Sequence, residues 1–397
     1  MRTFTFSGRW ALLSCLALWL ASCTDPYMPD VITSPPNYLV VDGFINSQGT
    51  TTIRLSRTYA VAAKTAPPAE TRATVYIEDE AGNRLLLTES NVQGTYASGA
   101  QVLNAARKYR LHINTLAGKE YVSDYVAVKT TPPIDSVPWR IDNNGLSIYV
   151  NAHDATNRTQ YYRWEYVETW EIIPIYNPQV EYVNNSMRDI VVPYPTICWG
   201  NAQSTIIQID KTTALSQDVV ANFRVRQLPQ TSDLLFSRYS ILVKQHALTR
   251  EEYAYWELLR KNTESIGSLF DPQPSQLTGN VHCLTSASDI ALGFVGVHSV
   301  TENRIFIRRL DLPPTWAPPS PYQQCLPADS ISLHPDVRPT PPPEEILRSY
   351  FSGPNYLPIE PYYGPSSSIV VKGYLAKSRD CIDCRTRGTS VKPSYWP

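Results

Sequence analysis

Methionine is almost missing from this chain, with 3 among 397 residues, and glycine is sparse at 17. With so few glycines, and none opening a strand-loop-helix unit, a glycine-rich phosphate loop is excluded. Neither sign of charge is in excess: 35 Lys and Arg stand against 36 Asp and Glu, a formal net charge of -1. Without a basic surplus there is no electrostatic footprint for nucleic acid. The histidines, His112, His153, His246, His282, His298 and His334, are scattered, with no two at i and i+4 and no HExxH. A G-x-S-x-G turn is missing too, so the hydrolase signature built on it is not there. His153 beside Asp154 is the nearest approach to an oriented base, with no partner acid identifiable. No segment beyond the N-terminus approaches the length of an apolar span. These gaps point away from an enzyme, and neither a cofactor nor a metal site is expected; a hydrolase would need a deep pocket holding two carboxylates and a histidine.

Proline at 33 and tyrosine at 25 are plentiful instead, a balance that suits β-rich extracytoplasmic folds with long ordered loops. The chain opens with a short basic region, Arg2 to Arg9, and an apolar run from Trp10 to Leu20, too short to span a bilayer comfortably. This reads as a signal peptide. Leu20-Ala21-Ser22-Cys23 then resembles the lipobox of bacterial lipoproteins. Slim side chains suit a scissile bond at the membrane surface, and only a cysteine thiol can form the thioether to lipid. Acylation of Cys23 would moor the mature chain peripherally, since each buried methylene contributes roughly 0.8 kcal/mol and two or three acyl chains hold firmly. Thr24 stands where an aspartate would signal inner-membrane retention, so the outer membrane is favoured, with the leaflet left open.

Removing 22 residues from 397 leaves 375, enough for two domains of ordinary size. Residues 1–22 form the signal peptide, and 23–37, polar and marked by Pro26, Pro29, Pro35 and Pro36, a tether. Residues 38–130 carry short alternating strand signals: Tyr38 to Ile45, Thr51 to Leu55, a hairpin from Thr74 to Leu87, and Tyr109 to Ile113 turning toward Tyr121 to Val128. Strands at such spacing predict an antiparallel sandwich of immunoglobulin or transthyretin type. Thr130-Thr131-Pro132-Pro133 breaks the pattern, because consecutive prolines cannot donate to a ladder. A second β-sandwich with insertions then occupies 131–397, with strands at Leu146 to Val150, Tyr162 to Tyr166, Phe223 to Leu228 and Tyr239 to Val243. One helix is expected after Thr249, whose side chain and that of Glu252 fit a capping box, with Gly267 and Pro272 as stop signals. Strands resume at Gly279 to Leu284 and at Ala291 to Val300, with Arg304 to Arg308 closing a hairpin. The proline-dense stretch Pro313 to Pro365 reads as an ordered strap over the sandwich, and Ile369 to Leu375 as a last strand. The fold class is therefore mainly β: two sandwiches, the second with a helix and a proline-rich strap.

Five cysteines fall in the folded part: Cys198, Cys283, Cys325, Cys381 and Cys384. An oxidising compartment allows at most two disulfides among them with one thiol left over, and spacing alone leaves the pairing open. Cys381-Ile382-Asp383-Cys384 lacks the strand-helix setting of a redox motif and a second pair at zinc spacing, so its cysteines are expected to fasten the tail to other cysteines. Trp164 and Tyr166 alternate in a strand and belong to the core. Tyr176 and Tyr182, on the proline-marked tract Ile172 to Asn201, are the candidate binding residues, because flat rings give contact area at low entropic cost.

Leu39 to Ile45, Tyr162 to Trp170, Gly267-Ser268-Leu269-Phe270-Asp271-Pro272, Gly279-Asn280, and Cys381-Ile382-Asp383-Cys384-Arg385 with Pro393 and Trp396 together resemble one family. This is the Bacteroidota outer-membrane lipoproteins called domain of unknown function 4249. The resemblance spans nearly the whole mature chain, with the C-terminal signature its most specific part. Gly388 stands alone there, where a pair of glycines is expected. The resemblance implies a β-rich protein at the outer membrane, often accompanying TonB-dependent transporters. The functional expectation is an accessory ligand- or partner-binding component beside such a transporter. The alternative is a structural or adhesive surface lipoprotein.

Overall fold

The computed structural model describes residues 37–60, 63–264, 277, 279–364 and 369–397. The signal peptide, Cys23 and its tether, and the expected helix stops Gly267 and Pro272 lie outside the described residues.

The first sandwich forms because its strands alternate apolar and polar side chains, so that one face of each ribbon must be buried. Leu39–Asn46 pairs antiparallel with Thr52–Arg57, which pairs in turn with Thr95–Ala97. Thr74–Asp79 lies between Arg84–Glu89 and Lys108–Asn114, as the expected hairpin requires. Arg84–Glu89 also meets Thr95–Ala97, which joins both halves into one ladder that curls around a shared core of Leu39, Ile53, Leu55, Val75, Leu111 and Tyr121. Each such buried aliphatic side chain contributes about 1.5–3 kcal/mol.

This sheet also draws on residues beyond 130. Val281–Cys283 adds antiparallel to Glu120–Ser123, while Ala291–Leu292 and Val297–His298 add parallel to Leu39–Asn46. The expected division 38–130 against 131–397 is corrected accordingly, since the chain returns to finish the first sandwich after most of the second is built. The hairpin expected between Ala291 to Val300 and Arg304 to Arg308 is likewise absent. Val300–Arg308 pairs instead with Arg238–Ala247, so one continuous run serves both sandwiches in succession.

In the second sandwich Gly145–Asp154 pairs with Ile134–Ser136, Trp139–Asp142 and Asp218–Leu228. The facing sheet centres on Tyr161–Ile172 and Arg238–Ala247, flanked by Cys198–Gln203, Gln208–Lys211 and Val300–Arg308. Trp164 and Tyr166 are buried between these sheets with Ile148, Val150 and Ile241, as their period-two spacing predicts. The Trp164 Nε1–H donates to Gln245 Oε1 at 2.9 Å, satisfying the polar end of a buried indole.

The two sandwiches are joined by neighbouring crossings, 129–132 and 299–301. Thr131 N–H donates to Ser299 Oγ at 2.9 Å, and Ala247 N–H to Thr131 Oγ1 at 3.0 Å. Pro132 cannot donate, but its carbonyl accepts from Gln245 Nε2 and Thr301 Oγ1, each at 2.9 Å. The proline break is thus a bonded, buried joint.

The tail does more than cross the sandwich as a strap. Trp316 packs into the second core, but Asp329–Ser332, Gly373–Ser378 and Tyr356–Tyr362 form their own three-stranded sheet. The helix Pro343–Phe351 covers it with Ile346, Leu347 and Phe351. The last strand starts at Gly373, and Ile369, expected within it, is exposed. The Ile172 to Asn201 tract is a projecting hairpin, Val180–Val183 with Ser186–Asp189, whose Tyr182 and Met187 pack on this small core.

Candidate functional site

The helix Arg250–Glu264 follows the strand Arg238–Ala247 and lies over the junction of the two sandwiches. Thr249 Oγ1 accepts the Glu252 N–H at 3.1 Å, half of the expected capping box. The other half is replaced, because the Glu252 carboxylate turns toward Gly296 and His298. Tyr253 anchors the helix to the second sandwich beside Ile209 and Leu248. Glu252, Tyr255, Trp256 and Leu259, at i, i+3, i+4 and i+7, share one face. That face closes a cleft of about 520 Å³ whose other walls are Val40 to Phe44, Arg163, Glu165, Leu277, Gly293 and Phe294.

Two glycines make this closeness possible. Gly293 has φ +130, and a Cβ there would sit 2.0 Å from the Val41 carbonyl oxygen. At Gly296 a Cβ would lie 2.2 Å from Glu252 Oε2. The Gly296 carbonyl accepts from Ile45 N–H at 2.9 Å, which draws the loop to the edge of the first sandwich.

Polar atoms in and behind the cleft are unusually short of partners. Arg163 pairs with Glu165 and stacks its guanidinium 4.4 Å from the Trp256 ring centre. Its Nε, the Trp256 Nε1 and the Glu252 Oε2 are buried without a hydrogen bond. Leaving such a group unpaired costs about 1–3 kcal/mol, more for a charge, so three in one cleft is an expensive arrangement for structure alone. Behind Glu252, His298 stacks on Phe44 at 4.2 Å, and its Nδ1 lies 3.3 Å from the Ser299 carbonyl oxygen. A carbonyl only accepts, so Nδ1 is the donor in that contact, and Nε2 faces Glu252 Oε1 at 3.6 Å, within reach of an ion pair when the ring carries both protons. His246 meets His298 edge to face at 5.1 Å, with neither ring nitrogen hydrogen-bonded and Nε2 lying 4.0 Å from Glu165 Oε2. Burial, then the charges of Arg163, His298 and Lys244, hold the His246 pKa well below its ordinary 6.5. Burial, with Asp42 adding to it, pushes the Tyr255 hydroxyl up to about 12.

The residues expected from sequence lie elsewhere. Cys198 bonds to Cys384 and Cys325 to Cys381, while Cys283 is a free, half-buried thiol. The tail is therefore fastened at a node shared with Ile172 and Tyr322. Tyr176 packs on that node and donates its hydroxyl to the Cys325 carbonyl at 2.9 Å. Tyr182 borders a separate cavity of about 180 Å³, with its buried hydroxyl unpartnered and its ring 6.0 Å from that of Phe351. His153 does have a partner acid, and it is Asp135 rather than Asp154. Its Nδ1 lies 2.8 and 2.9 Å from the two Asp135 oxygens, and that hydrogen bond raises its pKa at the surface. Among the described residues no group of three His, Cys, Asp or Glu is placed to hold a metal ion, and no helix is long and apolar enough to cross a membrane.

The cleft was missed in sequence because its walls come from five separated segments. Glu252 carried a local explanation as a capping residue, and Arg163 and Trp256 lie far apart in the chain. Gly293 and Gly296, two glycines in an otherwise glycine-poor chain, are the available signal that backbone and side chain meet closely there.

No curated protein matches the sequence. Among solved structures, a segment of two fibronectin type III domains from chicken tenascin is similar over 53% of this chain and 91% of that one, at 12% identity and a TM-score of 0.16. A family model described as Domain of unknown function (DUF4249) matches residues 24–304, which cover both sandwiches and stop short of Cys381 to Arg385. With well over half of its length matched, the chain belongs to the family of the domain of unknown function DUF4249.

Proposed function

We propose that this protein is a lipid-anchored binding protein of the outer membrane, attached through Cys23 and working beside a TonB-dependent transporter, with the junction cleft as its ligand seat. The observation that carries the binding role is the set of buried polar atoms of Arg163, Trp256 and Glu252 without a hydrogen bond in one cleft at the junction of the sandwiches. Clefts at domain junctions, mostly apolar with a few convergent polar groups, are the ordinary form of small-ligand sites, and about 520 Å³ falls within their range of roughly 300–1,000 Å³. The lipobox-like Leu20 to Cys23 supports the anchor, and two disulfides suit an oxidising compartment.

The cleft does bring together the carboxylates of Glu165 and Glu252 with His246 and His298 close behind, the composition a hydrolase would need. Glu165 is engaged by Arg163, which occupies one of the two carboxylates. Binding without turnover is the reading this arrangement favours.

The test has two arms. Mass spectrometry of the mature chain is expected to find acyl groups on Cys23, and detergent extraction of outer membranes followed by pull-down to recover a TonB-dependent transporter. Trp256→Ala is then expected to depress the uptake that deletion of the protein abolishes, with membrane level unchanged. An unmodified Cys23, no co-purifying transporter, or full uptake with Trp256→Ala overturns the corresponding part.

A further inference from the structure

The cleft presents a specific set of unmet hydrogen-bonding needs. Glu252 is 2% exposed, and its Oε2 accepts from nothing. Trp256 Nε1 and Arg163 Nε are donors with nothing to donate to. Between them the walls are aromatic and aliphatic: Tyr255, whose ring lies 5.7 Å from Phe294, and Leu259. In formal charge the lining holds Asp42, Glu165 and Glu252 against Arg163 alone. Glu165 answers Arg163 and His298 Nε2 stands 3.6 Å from Glu252 Oε1, so the carboxylate oxygen still to be answered is Glu252 Oε2.

A complement to this set has a positive donor for Glu252, an acceptor for the indole and guanidinium N–H groups, and an apolar body. An anion such as a fatty acid meets the wrong sign at Glu252. A neutral sugar brings many hydroxyls to walls that offer them few partners, and each unpaired one is costly. An ammonium with a carbonyl oxygen close by and a hydrocarbon side chain satisfies all three needs at once, and aromatic rings further favour a cation beside them.

We propose, resting on the reading of this cleft as a ligand seat, that it takes the amino-terminal end of an apolar amino acid, either free or heading a peptide. The α-ammonium is held by Glu252, the neighbouring carbonyl oxygen by Trp256 Nε1 and Arg163 Nε, and the side chain by Tyr255, Leu259 and Phe294. His298 is a positioning residue. With its Nδ1 at the Ser299 carbonyl and its ring stacked on Phe44, it backs Glu252 from the side away from the ligand.

Calorimetric titration of the full mature chain with L-leucinamide, the peptide Leu-Gly-Gly, L-leucine, N-acetyl-L-leucinamide and 3-methylbutylamine tests this. L-Leucinamide is expected to bind, and blocking its amine with acetyl to weaken binding at least about tenfold, the loss that follows a buried charged hydrogen bond. Glu252→Gln should cause a comparable loss. Trp256→Phe keeps the ring and removes the N–H, so it should weaken L-leucinamide while leaving 3-methylbutylamine, which has no carbonyl, unchanged. Tighter binding of Leu-Gly-Gly than of L-leucine assigns a peptide, and the reverse a free amino acid. Should Glu252→Gln fail to fold, the acetylated ligand and Trp256→Phe still decide the matter. Equal binding of the acetylated and free amides, or no binding by any of these probes, overturns the assignment. The cleft's role as a ligand seat is decided separately by the effect of Trp256→Ala on uptake.

Discussion

His246 shows how one buried side chain ties the junction to pH. The faces around it bring Arg163 and Glu165 from one strand, Lys244 from its own, and His298 with Glu252 behind it from the first sandwich and the helix. Its depressed pKa keeps the ring neutral in the fold, whereas the unfolded chain takes up a proton near pH 6.5. The unfolded state therefore binds more protons below that pH. Stability is full above about 6.5 and falls as the pH drops, by up to about 1.4 kcal/mol per unit for one proton. His246→Phe keeps a ring against Phe44 and removes this proton. Denaturation midpoints of the variant between pH 7.5 and 5 are expected to fall less steeply than those of the parent, and parallel slopes would show that His246 does not titrate this way. None of this was readable in sequence, where His246 is one of six scattered histidines.

Among the elements, the tail depends most on covalent ties. Its sheet and the helix Pro343–Phe351 enclose a small core of Ile331, Ile346, Leu347, Phe351 and Ala376, and small cores supply little net stability. The Cys198–Cys384 bond, across 186 residues, ties this unit to the second sandwich, and Cys325–Cys381, across 56, closes the tail on itself. Replacing Cys198 and Cys384 together by alanine is expected to cost about 2–5 kcal/mol and to expose the chain beyond Pro313 to limited proteolysis first. Cys283→Ser should leave the melting temperature nearly unchanged. Equal proteolysis rates in the parent and the double variant would remove the fastening role. The sequence announced that Cys381 and Cys384 serve the tail. It did not announce a separate sheet, because Pro335 to Pro343 resembles a strap until Ile331 and Tyr374 are seen to pair across it.

At the scale of the whole molecule, the return of 281–298 to the first sandwich makes the two sandwiches interdependent. The first is completed only by segments that follow most of the second in the chain, and the paired crossings leave no free linker between them. Thr131 sits at the centre of this joint, donating to the Ser299 carbonyl and accepting from Ala247 N–H. Thr131→Val keeps the shape but strands both backbone groups, at about 1–3 kcal/mol each. Calorimetry is expected to show the parent's single transition broadening or splitting in this variant; one sharp transition at the parent temperature would mean that the joint does not couple the two units.

Alternation along Leu39–Asn46, Thr52–Arg57 and Tyr161–Ile172 was enough to establish a β-rich chain with sandwich cores, because burial on one face of a strand is written into every second residue. The proline pair at 132–133 and the spacing of the cysteines likewise carried local meaning that survived folding. The destination of Ala291 to His298, the disulfide partners, and the meeting of Glu252 with His298 and Arg163 with Trp256 were settled only in three dimensions. Each is a contact between segments distant in sequence, and no periodicity or spacing along a single chain records which distant segment comes to lie beside it.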